Sequence, residues 1–419
     1  MKKFFITFII ICPIIFGQNN FFSKKEIPVF RPNIHTQFLI FKVNDQFQVT
    51  YLYKIPYSRI VFEKVDDHFE SGFELTLEIK NRTNTFVKRE FVKDKLVSKS
   101  FEETISNTIY LENFLTITLP KDEYIFQVIF EDKLVNRQRP QIPVNLSLND
   151  SIKNYSSLLI EKKNQNGKYL VANFSGMLPY SKENYDMIFF SRKFEEGKKV
   201  KITISQNDSV YLEQFSKPIN FGRPVFSKIN DKVSITFDST YTLNGIIIND
   251  INKKLDEGEY LLRIISDDDK ELDTDKIKVT WLNKPFSLND SDFALEMIAS
   301  IEPEDAFDQL LKRKLPSSEL LKLYWKSKDP TPGTAFNELM EVFYDRVDYA
   351  ETNFRNLSGT SGAKTDRGKI YIQNGAPDQI ERGVNSDGKI TETWYYQSPK
   401  RIFVFVDIRG DGSFRLESK

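Results

Sequence analysis

Phe73-Glu74-Leu75-Thr76-Leu77-Glu78-Ile79 sets an apolar side chain at every second position. A chain with this period buries one face and wets the other, as a strand of an antiparallel sheet does. The same alternation recurs over residues 47–53, 115–119 and 124–130, and no sustained 3.6-residue period appears between residues 34 and 135. Residues 30–145 are therefore expected to fold as one β-sandwich.

A second block, residues 156–282, repeats the grammar, with strands expected over 169–174, 200–204, 233–237 and 277–281. Its end echoes the first block. Leu119-Pro120-Lys121-Asp122-Glu123-Tyr124 and Leu255-Asp256-Glu257-Gly258-Glu259-Tyr260 each lead into an apolar strand. In immunoglobulin-like sandwiches a tyrosine opening a late strand bonds back to the preceding corner, so Tyr124 and Tyr260 are expected at equivalent corners of two related folds. Residues 136–155, with Pro140, Pro143 and an Asn/Ser-rich tail, read as a linker.

Near residue 286 the period changes. Segments 292–301, 303–314 and 317–328 read as short helices, and Asp329-Pro330-Thr331-Pro332-Gly333-Thr334 ends that course. Phe336, Met340, Phe343, Val347, Ala350 and Phe354 then form one apolar stripe of a longer helix, expected to be core, with Glu341, Asp345, Arg346 and Glu351 away from it. Four strands, 369–373, 391–397, 401–407 and 413–416, are expected to close the chain. The expected fold is thus multidomain and mainly β. Two immunoglobulin-like antiparallel β-sandwiches precede a C-terminal α+β module over residues 286–419, with short helices packed on a small antiparallel sheet.

Lys+Arg and Asp+Glu both number 59, so no net field would draw in a polyanion, and nucleic acid is not an expected partner. Met1-Lys2-Lys3 ahead of the apolar residues 4–16 reads as a secretory signal over residues 1–17, too short to span a bilayer. Cleavage there leaves a chain starting near Gln18, with no transmembrane span, in the periplasm, at the outer membrane or on the cell surface. Cys12 leaves with the signal, and with it any disulfide, thiolate metal site or cysteine nucleophile. His35 and His68 are isolated and expected at the surface or at strand edges. No metal or cofactor is expected, since neither a histidine cluster nor a phosphate-cradling or dinucleotide glycine motif occurs.

Tyr324-Trp325-Lys326-Ser327-Lys328-Asp329-Pro330-Thr331-Pro332-Gly333-Thr334, Phe343-Tyr344-Asp345-Arg346-Val347, Thr365-Asp366-Arg367-Gly368-Lys369-Ile370-Tyr371-Ile372 and Gly375-Ala376-Pro377-Asp378 follow one another in order. Together they resemble the GWxTD domain found at the C-terminus of exported proteins of Bacteroidota and related bacteria. Tyr53-Lys54-Ile55-Pro56-Tyr57-Ser58 also resembles the N-terminal β-region of such proteins. In one place the chain departs from the family pattern: Gly362-Ala363-Lys364-Thr365-Asp366 has alanine where the family name has tryptophan. Truncating an aromatic leaves a void or opens a surface site. The resemblance implies a family and an exported context, and no particular activity.

The polar candidates cluster in this module. Thr365, Asp366, Arg367, Asp378, Trp394 and Tyr396 are the binding candidates, and Asp366, Asp378 and Glu381 would be the acid/base set if the protein were an enzyme cleaving a glycosidic bond. A strand over 369–373, rising about 3.3 Å per residue, would hold Asp366 and Asp378 too far apart unless the loops fold back. Turn chemistry accounts for the same residues. Trp394 and Tyr396 fall on one face of an alternating strand, where they would be core, or would stack on a glycan or a partner's apolar side chain. The expected function is a non-catalytic exported envelope protein, a tandem β-sandwich spacer whose C-terminal module binds another envelope protein. The alternative is a carboxylate-dependent hydrolase of cell-wall or surface polymer.

Overall fold

Strand β2 (Gln46–Pro56) is buried along nearly its whole length, with polar Gln48 and Thr50 included. A sheet with one wet face does not allow this. β2 lies instead between two cores.

A computed structural model describes residues 34–149, 156–161, 168–172, 175–356 and 359–418. The expected signal segment, residues 1–17, lies outside them. β2 is central in a sheet ordered β1–β2–β5, with β1 at His35–Val43 and β5 at Tyr110–Leu119. Its inward side chains Val49, Tyr51, Tyr53 and Ile55 meet the inner face of a second antiparallel sheet. That sheet runs β4–β3–β6–β7, with β3 His68–Asn81, β4 Phe86–Ser98, β6 Asp122–Asp132 and β7 Val144–Leu148. The opening heptapeptide lies in β3, where Phe73, Leu75, Leu77 and Ile79 are core and Glu74, Thr76 and Glu78 are not.

The following strands are β8 (Leu158–Ile160), β9 (Asp186–Phe190), β10 (Val200–Gln206) and β11 (Ser209–Ser216). A hairpin of β12 (Arg223–Ile229) and β13 (Lys232–Asp238) precedes β14 (Asn244–Ile248), β15 (Gly258–Ser266) and β16 (Glu271–Thr280). The antiparallel pairing repeats that of the first block. β8–β9–β14 corresponds to β1–β2–β5, and β11–β10–β15–β16 to β4–β3–β6–β7. Tyr124 and Tyr260 occupy the third position of β6 and β15, the corresponding strands. Each hydroxyl donates to the carbonyl four residues earlier, Pro120 at 3.2 Å and Asp256 at 3.1 Å. The Asp267-Asp268-Asp269 run forms the exposed β15–β16 turn.

The two blocks are stacked. Leu39, Phe41 and Leu52, on the outer face of β1–β2–β5, share a core with Leu158, Ile160, Ile188 and Phe190 on the outer face of β8–β9–β14. Phe41 meets Phe190 edge-on at 5.7 Å. Opposite side chains of the same strands, Leu159, Met187 and Phe189, enter the core of the second block. Four sheet layers thus follow one another, and the β12–β13 hairpin closes one side. From that hairpin Phe226 packs on Phe114, the Pro224 carbonyl accepts from the buried Gln48 amide at 2.9 Å, and Lys228 pairs with Asp94 at 3.6 Å.

Within these two blocks some sequence expectations change. Residues 136–155 are not a linker as far as they are described, because Arg137–Pro140 and β7 both pair with β6 and complete the sheet. Pro140 ends its strand and Pro143 precedes the next, where a missing N–H costs no ladder bond. His35 opens the edge strand β1, one of the two expected placings, but is buried there, and burial, helped by Lys54, lowers its pKa to about 4. The strand expected over 169–174 is confined among described residues to Tyr169–Leu170, with residues 173–174 outside them.

The helices are α1 (Ser291–Ile298), α2 (Glu304–Leu311), α3 (Ser317–Ser327) and α4 (Glu338–Asn353). Phe343, Val347, Ala350 and Phe354 are core as expected, whereas Phe336 precedes the helix and packs on Tyr180 and Trp281 of the second block. Glu351, expected on the solvent side of α4, is buried. The strand expected over 369–373 is a helix, α5 (Asp366–Asn374). Its ends carry helix signals: Thr365 caps the start, and Gly375, at φ 81°, sits just past the end. The closing sheet is β17 (Gln379–Val384), β18 (Ile390–Gln397), β19 (Lys400–Asp407) and β20 (Phe414–Ser418), paired antiparallel in that order.

Candidate functional site

The run from Gly362 to Asp378 is held from several sides. Thr365 Oγ1 accepts from the Gly368 amide at 3.1 Å and donates to the Gly362 carbonyl at 2.7 Å. Gly368 is required by close approach, since a Cβ there would lie 2.0 Å from the Gly362 oxygen. Asp366 occupies the first turn of α5, where a negative charge suits the exposed amides. One of its oxygens accepts from the Leu416 amide at 2.9 Å, tying the helix start to β20.

Asp378 lies beyond the other end of that helix. Its oxygen accepts from the Gln397 amide at 2.7 Å, and its own amide donates to the Tyr395 carbonyl. Glu381 is exposed on β17 and accepts from the Tyr395 hydroxyl at 2.8 Å. A nine-residue helix rises about 1.5 Å per residue, so its ends stand about 12 Å apart. Asp366 and Asp378 share no hydrogen-bond partner, and each is satisfied by a backbone amide. The geometry does not assemble the three carboxylates around one bond.

What does converge is a buried ionic group that the sequence left unmarked. Glu392, 3% exposed, accepts from the indole of Trp394 at 2.7 Å. Arg382 reaches it at 3.2 Å and Arg367 at 3.6 Å. The Arg367 guanidinium lies over the Phe414 ring at 4.0 Å and near that of Phe354 at 5.2 Å. Burial pushes its pKa down, and Glu392 opposes the shift. Trp394 and Tyr396 do share the inner face of β18, and both are core; Tyr396 donates to the Gly375 carbonyl at 2.9 Å. Neither is open to a sugar ring. A legible signal for Glu392 did exist: two residues before a core tryptophan, it had to face inward with it.

Glu351 was missed for the same kind of reason. Its carboxylate accepts from the Ala363 amide at 3.2 Å and from Arg355 at 2.6 Å, and it also takes the Ser361 hydroxyl. It therefore fixes the turn carrying Ala363, the residue standing where the family name has tryptophan. Ala363 is 1% exposed and belongs to the module core. The truncation has not opened a surface site. Gly362 is equally confined, a Cβ there falling 2.2 Å from the Ala350 carbonyl oxygen.

The open part of the module is β17. All six of its residues are exposed. Cross-strand register puts Ile380 opposite Trp394 and Val384 opposite Ile390, so these side chains lie on the face that the helices cover elsewhere. Here the cover stops, leaving Ile380 47%, Ile390 51% and Val384 66% exposed. Among the described residues, no three His, Cys, Asp or Glu side chains cluster as a metal site requires. No described helix is long and apolar enough to cross a membrane.

Fold and site together define a β-rich protein of stacked antiparallel sheets ending in a helix-covered sheet with one bare edge. The GWxTD domain model matches residues 262–412, from within β15 to the turn before β20, so the chain carries a GWxTD domain there. The match begins upstream of residue 286, taking in most of the β15–β16 hairpin. No curated protein sequence matches. Among solved structures, "Biofilm associated protein - BSP domain" aligns at 10% identity and a TM-score of 0.15, covering 61% of this chain and 67% of that one. "pT26-6p" aligns at 10% identity and a TM-score of 0.14, covering 82% and 84%. At such scores neither likeness bears on function.

Proposed function

We propose that this chain is a non-catalytic exported envelope protein, in which two immunoglobulin-like sandwiches form a rigid spacer and the C-terminal α+β module binds another envelope protein. The observation that carries the binding role is β17. It is a terminal strand, with one side open to pairing and an uncovered apolar row on its inner face, Ile380 and Val384, continued by Ile390 of β18. Exposed strand edges are templates for added strands, and proteins guard those not meant to pair. On β4, an edge of the first block, Lys88, Arg89, Lys93 and Lys95 provide such a guard. β17 carries a single basic residue, Arg382, paired to Glu392, against four on β4, which are paired to Glu90, Glu78, Glu74 and Glu70; the difference between the two edges is the number of charges. The repeated strand pairing and the two tyrosine corners support the immunoglobulin-like reading of both sandwiches, and Met1-Lys2-Lys3 with the apolar run after it supports export.

A photo-crosslinking residue at Ile380 or Val384, in the native host, tests the binding role. A discrete adduct with one envelope protein is expected, lost when the other of these two residues is changed to Glu and absent when the crosslinker sits at Lys88. Equal adducts from Lys88, or none from β17, would sink the proposal.

A further inference from the structure

Where the two sandwiches and α4 meet, a cleft of about 170 Å³ opens. Its walls are aromatic: Tyr110 from the first sandwich, and Tyr180, Tyr185 and Trp281 from the second. Tyr180 and Trp281 meet edge-on at 5.6 Å, and the Tyr180 hydroxyl is anchored to the Ala335 carbonyl at 2.7 Å, so this wall is rigid. Two carboxylates also line the cleft, Glu183 and Glu341. Glu341, on α4, is only partly exposed, and burial raises its pKa, with Asp345 adding repulsion, Lys182 opposing it, and Glu183 and Glu338 repelling more weakly. Among the described residues its carboxylate accepts no hydrogen bond and has no cation within ion-pair distance.

The cleft's one lysine does not balance these acids. Lys54 is ion-paired to Glu112 at 2.9 Å, with its ammonium 4.4 Å from the centre of the Tyr110 ring. The protein thus already seats one cation on one of these walls. Beyond it remain the Tyr180 side chain and a half-buried carboxylate with no ion-paired partner among the described residues, Lys182 attracting it only from a distance. Ring faces attract cations, and a desolvated carboxylate gains most from a charged donor. A neutral sugar would cover Glu341 without compensating its charge.

We propose that this cleft binds an organic cation, an alkylammonium or guanidinium group, held against Tyr180, which Trp281 backs, and paired to Glu341. The site lies away from β17 and stands whether or not that edge binds a partner.

Calorimetric titration of the full mature chain tests it, using capped Gly-Lys-Gly, capped Gly-Arg-Gly, putrescine, capped Gly-norleucine-Gly as the uncharged control, and an N-acetylglucosamine trimer. The cationic probes should bind saturably with a change in tryptophan emission, and the norleucine peptide and the glycan should not. Glu341→Gln, with unchanged thermal unfolding, should weaken the cations by about tenfold or more, as loss of a charged hydrogen bond implies. Tighter binding of a tripeptide would assign the cation to a polypeptide and tighter binding of putrescine to a free amine; either supports the site. Equal binding of norleucine, binding of the glycan alone, no saturable binding of any cation, or wild-type affinity in Glu341→Gln would overturn it.

Discussion

The Trp394 indole donates to Glu392 two residues earlier on the same strand face, at 2.7 Å, and both side chains are almost wholly buried. This bond joins a core tryptophan of the module to a buried carboxylate. Glu392 in turn is the counter-ion of Arg367, whose side chain is 12% exposed.

Glu392→Ala should therefore cost about 3–5 kcal/mol, the usual result of stripping the partner from a buried charge. Glu392→Gln, which keeps an acceptor for the indole, should cost less. Urea unfolding of both variants measures the difference, and equal losses would mean that the indole bond adds nothing to the charge pairing with Arg367.

Asp366 and Thr365 separate two kinds of helix-end support. Thr365→Ala removes the cap of α5 and should cost about 0.5–2 kcal/mol. Asp366→Ala loses the acceptor for the Leu416 amide, and should cost about 0.5–1.5 kcal/mol. Asp366→Asn, keeping an acceptor, should unfold close to wild type. An Asp366→Asn protein that is fully stable yet loses a measurable polymer-hydrolysing activity would reinstate the catalytic alternative.

Restoring the family tryptophan is expected to fail here. Ala363 is enclosed, and its turn is pinned by Glu351, so Ala363→Trp should overpack the core at a cost of about 1–3 kcal/mol. A variant as stable as wild type would show that the core keeps room for the indole.

His35 predicts a pH effect. Its folded pKa, about 4, lies below the 6.5 of an unperturbed imidazole, so between those values the unfolded chain binds the extra proton. The buried neutral ring thus contributes stability that is present above pH 6.5 and lost as pH falls toward 4. His35→Gln should unfold with a shallower loss of melting temperature between pH 7 and 4. Parallel slopes would refute this.

The stacked sheets make a prediction about fragments. Residues 18–149 expressed alone would expose Leu39, Phe41 and Leu52, which the second block covers. Such a fragment should associate at micromolar concentration, and changing those three side chains to Ser, Lys and Thr should keep it monomeric in sedimentation.

Strand alternation was legible because β3, β5 and β6 pack on one core from one side. β2 was less so. Its Tyr51-Leu52-Tyr53 run hints at burial on both faces, but which sheet lies beyond is decided by residues more than a hundred positions away. The helix α5 was misread because Ile370-Tyr371-Ile372 satisfies a short alternation, whereas Thr365 and Gly375 are boundary signals that only make sense as a pair. Prolines near residue 140 suggested a linker, since sequence alone does not separate a loop from a strand at a sheet edge. Among the binding candidates, turn chemistry at Thr365 was read correctly in kind and assigned to the wrong element. The inward path of Glu392 followed from its spacing to Trp394 and was not drawn.

The stack also sets how far the protein can hold things apart. Two sandwiches joined end to end add their lengths, whereas two joined face to face add only their thicknesses, with packed sheets about 10 Å apart. The four layers therefore span roughly 30 Å between the outermost sheets. Longer strands would widen this stack without thickening it; only further sheet layers, each adding about 10 Å, would lengthen it.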